Sequence, residues 1–333
     1  MNNWEQEDET SYLPAPPPPP PEKHVLDQVP PDMAQLFKDI LKYRVDPAGW
    51  YYNITLENLI DQLQALNTGA VVAVGGDSDK NQGKGHMYDP YLQSFITGAG
   101  GQLSTWEKHS TAMTPVVLRG VVRRKEMAAC RAAGRDFYYI DTGYFGNVRK
   151  KTYHRITRNN VQYLGPIVDR PGDRLAATGT TFKKFRGGTN ILIAPPSQKL
   201  LNLYDIVLDD WLEQVQTEIR QYTDRPIVIR MKQSRSVRVT TDTIEMALEQ
   251  DVHCLVTYSS IAAGEALLNG KPAITLGPNA AAPLCSQTLA EIENPRIPTL
   301  DEVDAWARNL AYCQFTEAEM RDGTAWRILN EHA

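Results

Sequence analysis

Between residues 190 and 277 short apolar runs and amphipathic stretches take turns, and this alternation restricts the possible folds more than any other feature of the chain. NILIAPP (190–196), PIVIRMK (226–232), HCLVTYS (253–259) and PAITLG (272–277) read as strands, while DIVLDDWLEQVQTEIRQY, TDTIEMALEQ and IAAGEALLN between them read as helices. Strands with continuous apolar runs need cover on both faces, and a parallel sheet flanked by helices supplies it. The α/β expectation for residues 187–333 is therefore a Rossmann-like domain. A shorter version of the pattern, PVVLRGV, RKEMAACRAAG and DFYYIDTGYFG, ends near residue 146 and predicts a second, reduced Rossmann-like domain over residues 111–186.

Upstream the pattern changes. LPAPPPPPPEK has no apolar period and predicts a disordered, Pro-rich tail over residues 1–30. MAQLFKDIL and LENLIDQLQAL space Leu and Ile at three and four, which predicts amphipathic helices. They open a helical extension over residues 31–110 that also holds AVVAVGG (70–76), a strand or buried turn, and a polar loop. The N-terminus is acidic where a secretory signal would be basic, and no run of eighteen apolar residues occurs, so a cytoplasmic protein without a membrane partner is expected. Cys130, Cys254, Cys285 and Cys313 lie too far apart in sequence for a CxxC metal or redox motif.

A net charge of −5 conceals a basic middle: from Arg119 to Arg186 there are sixteen Lys and Arg against five Asp and Glu. Clusters there include Arg149, Lys150 and Lys151, then Arg155 and Arg158, then Lys183, Lys184 and Arg186, with aromatic residues interleaved. Clustered cations gain affinity for phosphates through counterion release, so DNA is an expected partner. A solvated face balanced by acidic neighbours is the competing reading.

Ligands of doubly wound sheets bind beyond the carboxyl ends of the strands, so the loops after 196, 232 and 259 should share one rim. In YSSIAAGEALL, Ser259 or Ser260 can cap the following helix, and the small residues through Gly264 leave backbone N–H groups approachable. A diphosphate suits that entrance. Glu265, a turn and a half further in, is the only charge in the segment and matches the two hydroxyls of a ribose. Arg230 and Lys232 alternate with Met231 at a strand end expected to be central, where they can meet the diphosphate, and Ser197 can add a hydroxyl. Asp141, at the end of FYYI, is the candidate general base, with His154 as the alternative.

SSIAAGEALLNGKPAITLG resembles the C-terminal domain of two-Rossmann-domain, B-type glycosyltransferases, and IDTGYFG and LAYCQFTEAEMRDGTAW are similar to phage-encoded and capsule-type members of that class. The resemblance covers roughly residues 115–333. It implies a nucleoside diphosphate sugar as donor, held by the serine-lined turn, by Arg230 and Lys232, and by Glu265 at the ribose. No metal is implied, since the resemblance is to the B-type class and not to the metal-dependent A-type. The acceptor that the resemblance and the basic middle together favour is a hydroxymethylated base in phage DNA, inside a bacterial host. The alternatives are a capsule or cell-wall glycan acceptor, or a non-catalytic nucleic-acid-binding or scaffold protein on the same framework.

Overall fold

The computed structural model describes residues 72–75, 89–106, 114–147, 152–232 and 243–331, all within the compact unit Ala65–Ala333. The Pro-rich tail, the helices expected up to residue 66, and Arg149, Lys150 and Lys151 lie outside the described residues.

Two sheets organise this unit. The first contains β1 (Val72–Gly75), β2 (Gln102–Thr105), β3 (Val116–Arg119), β4 (Phe137–Thr142), β5 (His154–Arg158) and β10 (Gln314–Phe315), in the order β10-β5-β4-β3-β1-β2. β1 to β4 pair in parallel, while β5 runs antiparallel to β4 and β10 antiparallel to β5. Residues of β3 and β4 are buried without alternation from Val116 to Leu118 and from Phe137 to Ile140, as a sheet covered on both faces requires.

This sheet draws on chain outside 111–186. β1 falls in AVVAVGG, expected as a strand or buried turn within the helical extension, whereas β2 is unexpected, because QLST has too little apolar character to announce a strand. At the other end, the chain returns after α8 (Leu300–Ala311) to add β10, α9 (Glu317–Arg321) and α10 (Thr324–Asn330). Phe315, Met320 and Ala325 from this return pack with Leu92, Phe95 and Ile96 of α1 (Pro90–Gly98) and with Tyr138, Ile140 and Ile156 of the sheet. α1 and α9 approach so closely that a Cβ on Gly98 would sit 2.0 Å from the Met320 carbonyl oxygen, which only glycine avoids. Thr299 and Thr316 begin α8 and α9 with capping boxes closed by Glu302 and Glu319.

The second sheet is wholly parallel: β6 (Asn190–Ile193), β7 (Ile227–Ile229), β8 (Val252–Thr257) and β9 (Ala273–Thr275), in the order β7-β6-β8-β9. β7 is an edge strand, which corrects the expectation that PIVIRMK is central. Its Val228 and Ile229 are exposed, whereas β6 and β8 are buried. One face packs Trp211, Val215 and Ile219 of α5 (Leu208–Ile219). The other packs α6 (Ile244–Glu249), α7 (Ala262–Leu268) and α8. Trp306 of α8 meets Phe145, from the loop after β4, edge-on at 5.7 Å, so one apolar cluster joins the second sheet's helices to the first sheet's loop.

Lys271, between α7 and β9, is 1% exposed. Its ammonium donates to the carbonyls of Val252 at 2.7 Å, Gly187 at 3.2 Å and Arg186 at 3.4 Å, and burial pulls its pKa below the usual lysine value. It ties the entry to β6 against β8 and β9. Lys271→Met keeps the volume but leaves these carbonyls without their donor, so a loss of about 2 kcal/mol in denaturant-derived stability is expected. Unchanged stability would remove this role.

Candidate active site

β6 passes to β7 on one side and β8 to β9 on the other, so the loops after β6 and β8 diverge and leave a crevice at their carboxyl ends. The carboxyl ends of β3 and β4 open onto the same space. One cleft of about 1560 Å³ is lined from the second sheet by Ser197, Arg230, Lys232, Ser259, Ser260 and Glu265. From the first sheet it is lined by Arg119, Tyr139, Asp141, Tyr144 and Arg155. The structure thus brings together six of the seven expected donor residues and one of the two candidate bases.

Gly264 takes another place: a Cβ there would meet the Trp306 ring at 3.0 Å, so it lets α7 lie against α8. His154 is fully buried, its ring centroid 3.7 Å from that of Tyr91, and lies outside the cleft lining because its position in β5 points behind the wall. Ser259 lies on the floor at 1% exposure and donates its hydroxyl to Pro278 O at 2.5 Å. The cap position of α7 falls at Ile261, rather than at either serine, and the Ser260 hydroxyl accepts from the Ala262 N–H at 3.3 Å. Arg230 is half-buried and Lys232 exposed at the rim.

On the opposite wall Asp141 accepts from the Tyr139 hydroxyl and from the Thr142 N–H, both at 2.7 Å. Arg155 Nη2 and Arg119 Nη1 each lie 3.5 Å from its oxygens, and Arg119 Nε lies 3.5 Å from Asp89. Burial alone would raise the Asp141 pKa, but Arg155, the two hydrogen bonds and Arg119 outweigh it and hold the carboxyl at about 2. The same pair keeps the buried Arg155 charged and pushes the Tyr139 hydroxyl well above its ordinary value, first through burial and then through the Asp141 charge. Behind this wall, Gln314 of β10 accepts from the N–H groups of Tyr144 and Phe145 at 2.7 and 3.0 Å, fixing the loop that follows β4.

The cations expected to form a DNA track are spread over different partners. Arg155 is 7% exposed and committed to the Asp141 network, with Nε donating to Val161 O at 3.0 Å. Arg158 pairs with Asp136 at 2.5 Å and Lys183 with Glu249 at 3.0 Å. Arg186 donates to the carbonyls of Asn269 and Leu248, stapling the linker to the helix ends, and Lys184 is exposed beside it. Sequence reasoning missed Arg119, Tyr139 and Tyr144 as cleft residues. The signal lay in their position at the ends of two adjacent parallel strands.

No protein-family model and no curated protein matches the chain. Among solved structures it is similar to two KpsC transferases of Thermosulfurimonas dismutans. The beta Kdo 2,4 transferase has 15% identity and a TM-score of 0.43, with 72% of this chain and 90% of that chain covered. The beta Kdo 2,7 transferase has 11% identity and a TM-score of 0.45, with 79% and 100% covered. An aspartate transcarbamoylase from Trypanosoma cruzi follows at 13% identity and a TM-score of 0.21, covering 77% and 88%. Likeness this loose leaves function to be argued from the site.

Proposed function

We propose that the chain is a glycosyltransferase that takes a sugar from a nucleoside diphosphate sugar and passes it to a hydroxyl acceptor. The observation that carries this reading is the shared cleft, in which the carboxyl ends of parallel strands from two sheets supply walls of different chemistry. On the second-sheet wall Arg230 and Lys232 meet the diphosphate, Ser197 and Ser260 add polar contacts, and Glu265 accepts from the ribose hydroxyls. On the first-sheet wall Asp141, kept ionised by Arg155 and Arg119, offers a carboxylate to the acceptor hydroxyl.

With its pKa at about 2, Asp141 is a weak proton acceptor and a strong electrostatic one. It orients the acceptor hydroxyl by accepting its hydrogen bond. Arg155, Arg158, Lys183 and Arg186 of the basic middle are engaged with Asp141, Asp136, Glu249 and backbone carbonyls, which favours an uncharged, hydroxylated acceptor of the glycan kind over a hydroxymethylated base in DNA.

A thermal-shift screen of UDP-, GDP-, ADP- and CMP-linked sugars tests the donor assignment. A diphosphate-linked sugar at 100 times its Kd should stabilise the protein by about 2.7 kcal/mol through mass action. No shift with any of them sinks the enzyme reading, and a shift with the CMP-linked sugar alone sinks the diphosphate. Duplex DNA binding that weakens steeply with salt, without any donor effect, would instead favour a nucleic-acid-binding protein.

A further inference from the structure

We infer that Gln162 and Asn279 are positioning residues that set the orientation of two successive peptide groups at the floor of the cleft, aiming their N–H groups at the anionic part of the donor. The inference rests on the donor reading above and adds what prepares that site. Gln162 belongs to the segment leaving β5, far in sequence from the second sheet, and is 2% exposed. Its Nε2 donates to Ser259 O at 2.5 Å, and its Oε1 accepts from the Ala280 N–H at 3.2 Å. Because Ala280 offers a donor, the oxygen of the carboxamide must face it, and the nitrogen must face Ser259. Asn279, also 2% exposed, donates to Ser260 O at 2.9 Å and accepts from the Ala281 N–H at 3.0 Å. Both carboxamides are therefore used at both ends.

Neither carboxamide lines the cleft, whereas Ser259, Ser260 and Ile261 do. The Ser259 carbonyl is thus held from behind the loop, and the Ser260 carbonyl is held by Asn279 together with the Ala263 N–H of α7 at 3.5 Å. In a planar trans peptide the N–H points opposite to the C=O. With the two carbonyls turned back, the N–H groups of Ser260 and Ile261 are directed to the cleft side, where consecutive N–H groups form a concavity that suits an anion. A loop free to rotate would present carbonyl oxygen to the donor in some of its conformations, repelling the charge it should hold. Preorganised donors avoid that reorganisation on binding. Gln162 carries the further consequence that the linker from the first sheet holds the donor loop of the second, so the two walls of the cleft are set together.

The test uses the full-length chain and inorganic pyrophosphate as probe, followed by titration calorimetry, with UDP and uridine as companions. Gln162→Leu should weaken pyrophosphate and UDP by about tenfold, the scale for lost hydrogen bonds to a charged group, and leave uridine unchanged. Gln162→Glu gives a signature that general loosening does not. Ionised, it can accept from Ala280 but repels the Ser259 carbonyl; protonated, it can donate again. Its affinity relative to wild type at the same pH should therefore be weak at pH 8 and recover toward pH 5. A folded Gln162→Leu protein with wild-type affinity overturns the inference, as does a Gln162→Glu ratio that is flat with pH. The latter measurement decides if Gln162→Leu does not fold. Wild-type protein that binds pyrophosphate while the variants bind equally well removes only the positioning role. Wild-type protein that binds no pyrophosphate but is stabilised by a nucleotide sugar also removes only that role, whereas binding of neither removes the donor reading itself.

Discussion

Arg155→Met should lose about 3–5 kcal/mol of stability, the cost of breaking a buried ion pair from one side, because it leaves Asp141 in a wall built around its charge. Arg155 is 7% exposed, and its guanidinium donates to Val161 O at 3.0 Å and lies over the rings of Tyr139 and Tyr144 at 5.7 and 5.6 Å, so packing is lost along with charge. The variant also changes the pH dependence. In the wild type the Asp141 pKa is depressed, so its contribution is present above the unfolded value and disappears as pH falls through about 2. From the ordinary aspartate value of 3.8 this corresponds to roughly 2 kcal/mol, less some screening for a side chain 27% exposed. Removing Arg155 raises the carboxyl pKa, so acid unfolding of the variant should begin at higher pH. Carboxyl titration by NMR, with urea unfolding at pH 7 and pH 3, measures both effects. A pKa that stays at about 2 would assign the depression to Tyr139, Thr142 and Arg119 instead.

The same residue shows how far sequence reading reached. The second sheet was legible because its strands are continuous apolar runs separated by helices of ordinary length, and the loops at 197, 230 and 259 could be assigned to one rim by a topological rule alone. The edge position of β7 was not, since IVI reads equally well as a buried strand, and only pairing with β6 on one side decides it. In the first sheet, β2 is four residues of mixed polarity and β10 is two residues, too short to carry a period. Arg155 read as one cation in a basic run because sequence gives its neighbours along the chain, whereas Asp141 and Tyr139 lie on the strand paired beside it. Gln162 and Gln314 gave no sequence signal at all. A carboxamide becomes informative only when the two backbone groups it joins are known.

The combined Arg230→Ala and Lys232→Ala substitution should weaken a nucleoside diphosphate by about a hundredfold or more, since each cation is expected to supply a charge-assisted contact worth roughly 1.5–3 kcal/mol. Both residues follow the edge strand β7 and both line the cleft, Arg230 half-buried and Lys232 exposed, so neither is needed to close an apolar core. Affinity should therefore fall by far more than stability. The loss should be unequal between ligands: nucleoside diphosphate falls most, nucleoside monophosphate less, and nucleoside not at all, because only the phosphates carry the charge these residues meet. Arg230→Lys should restore only part of the affinity, since an ammonium cannot form the paired contacts of a guanidinium. The single substitutions also separate burial from charge. Arg230, less solvated, should account for more of the loss at high salt, whereas the Lys232 share should shrink as salt screens an exposed charge. Calorimetry at low and high salt with UDP, UMP and uridine measures this pattern. Equal losses for all three ligands would mean that the cations shape the loop after β7 rather than bind phosphate, and the anion-binding wall would have to be sought at Lys199 and the residues after β6.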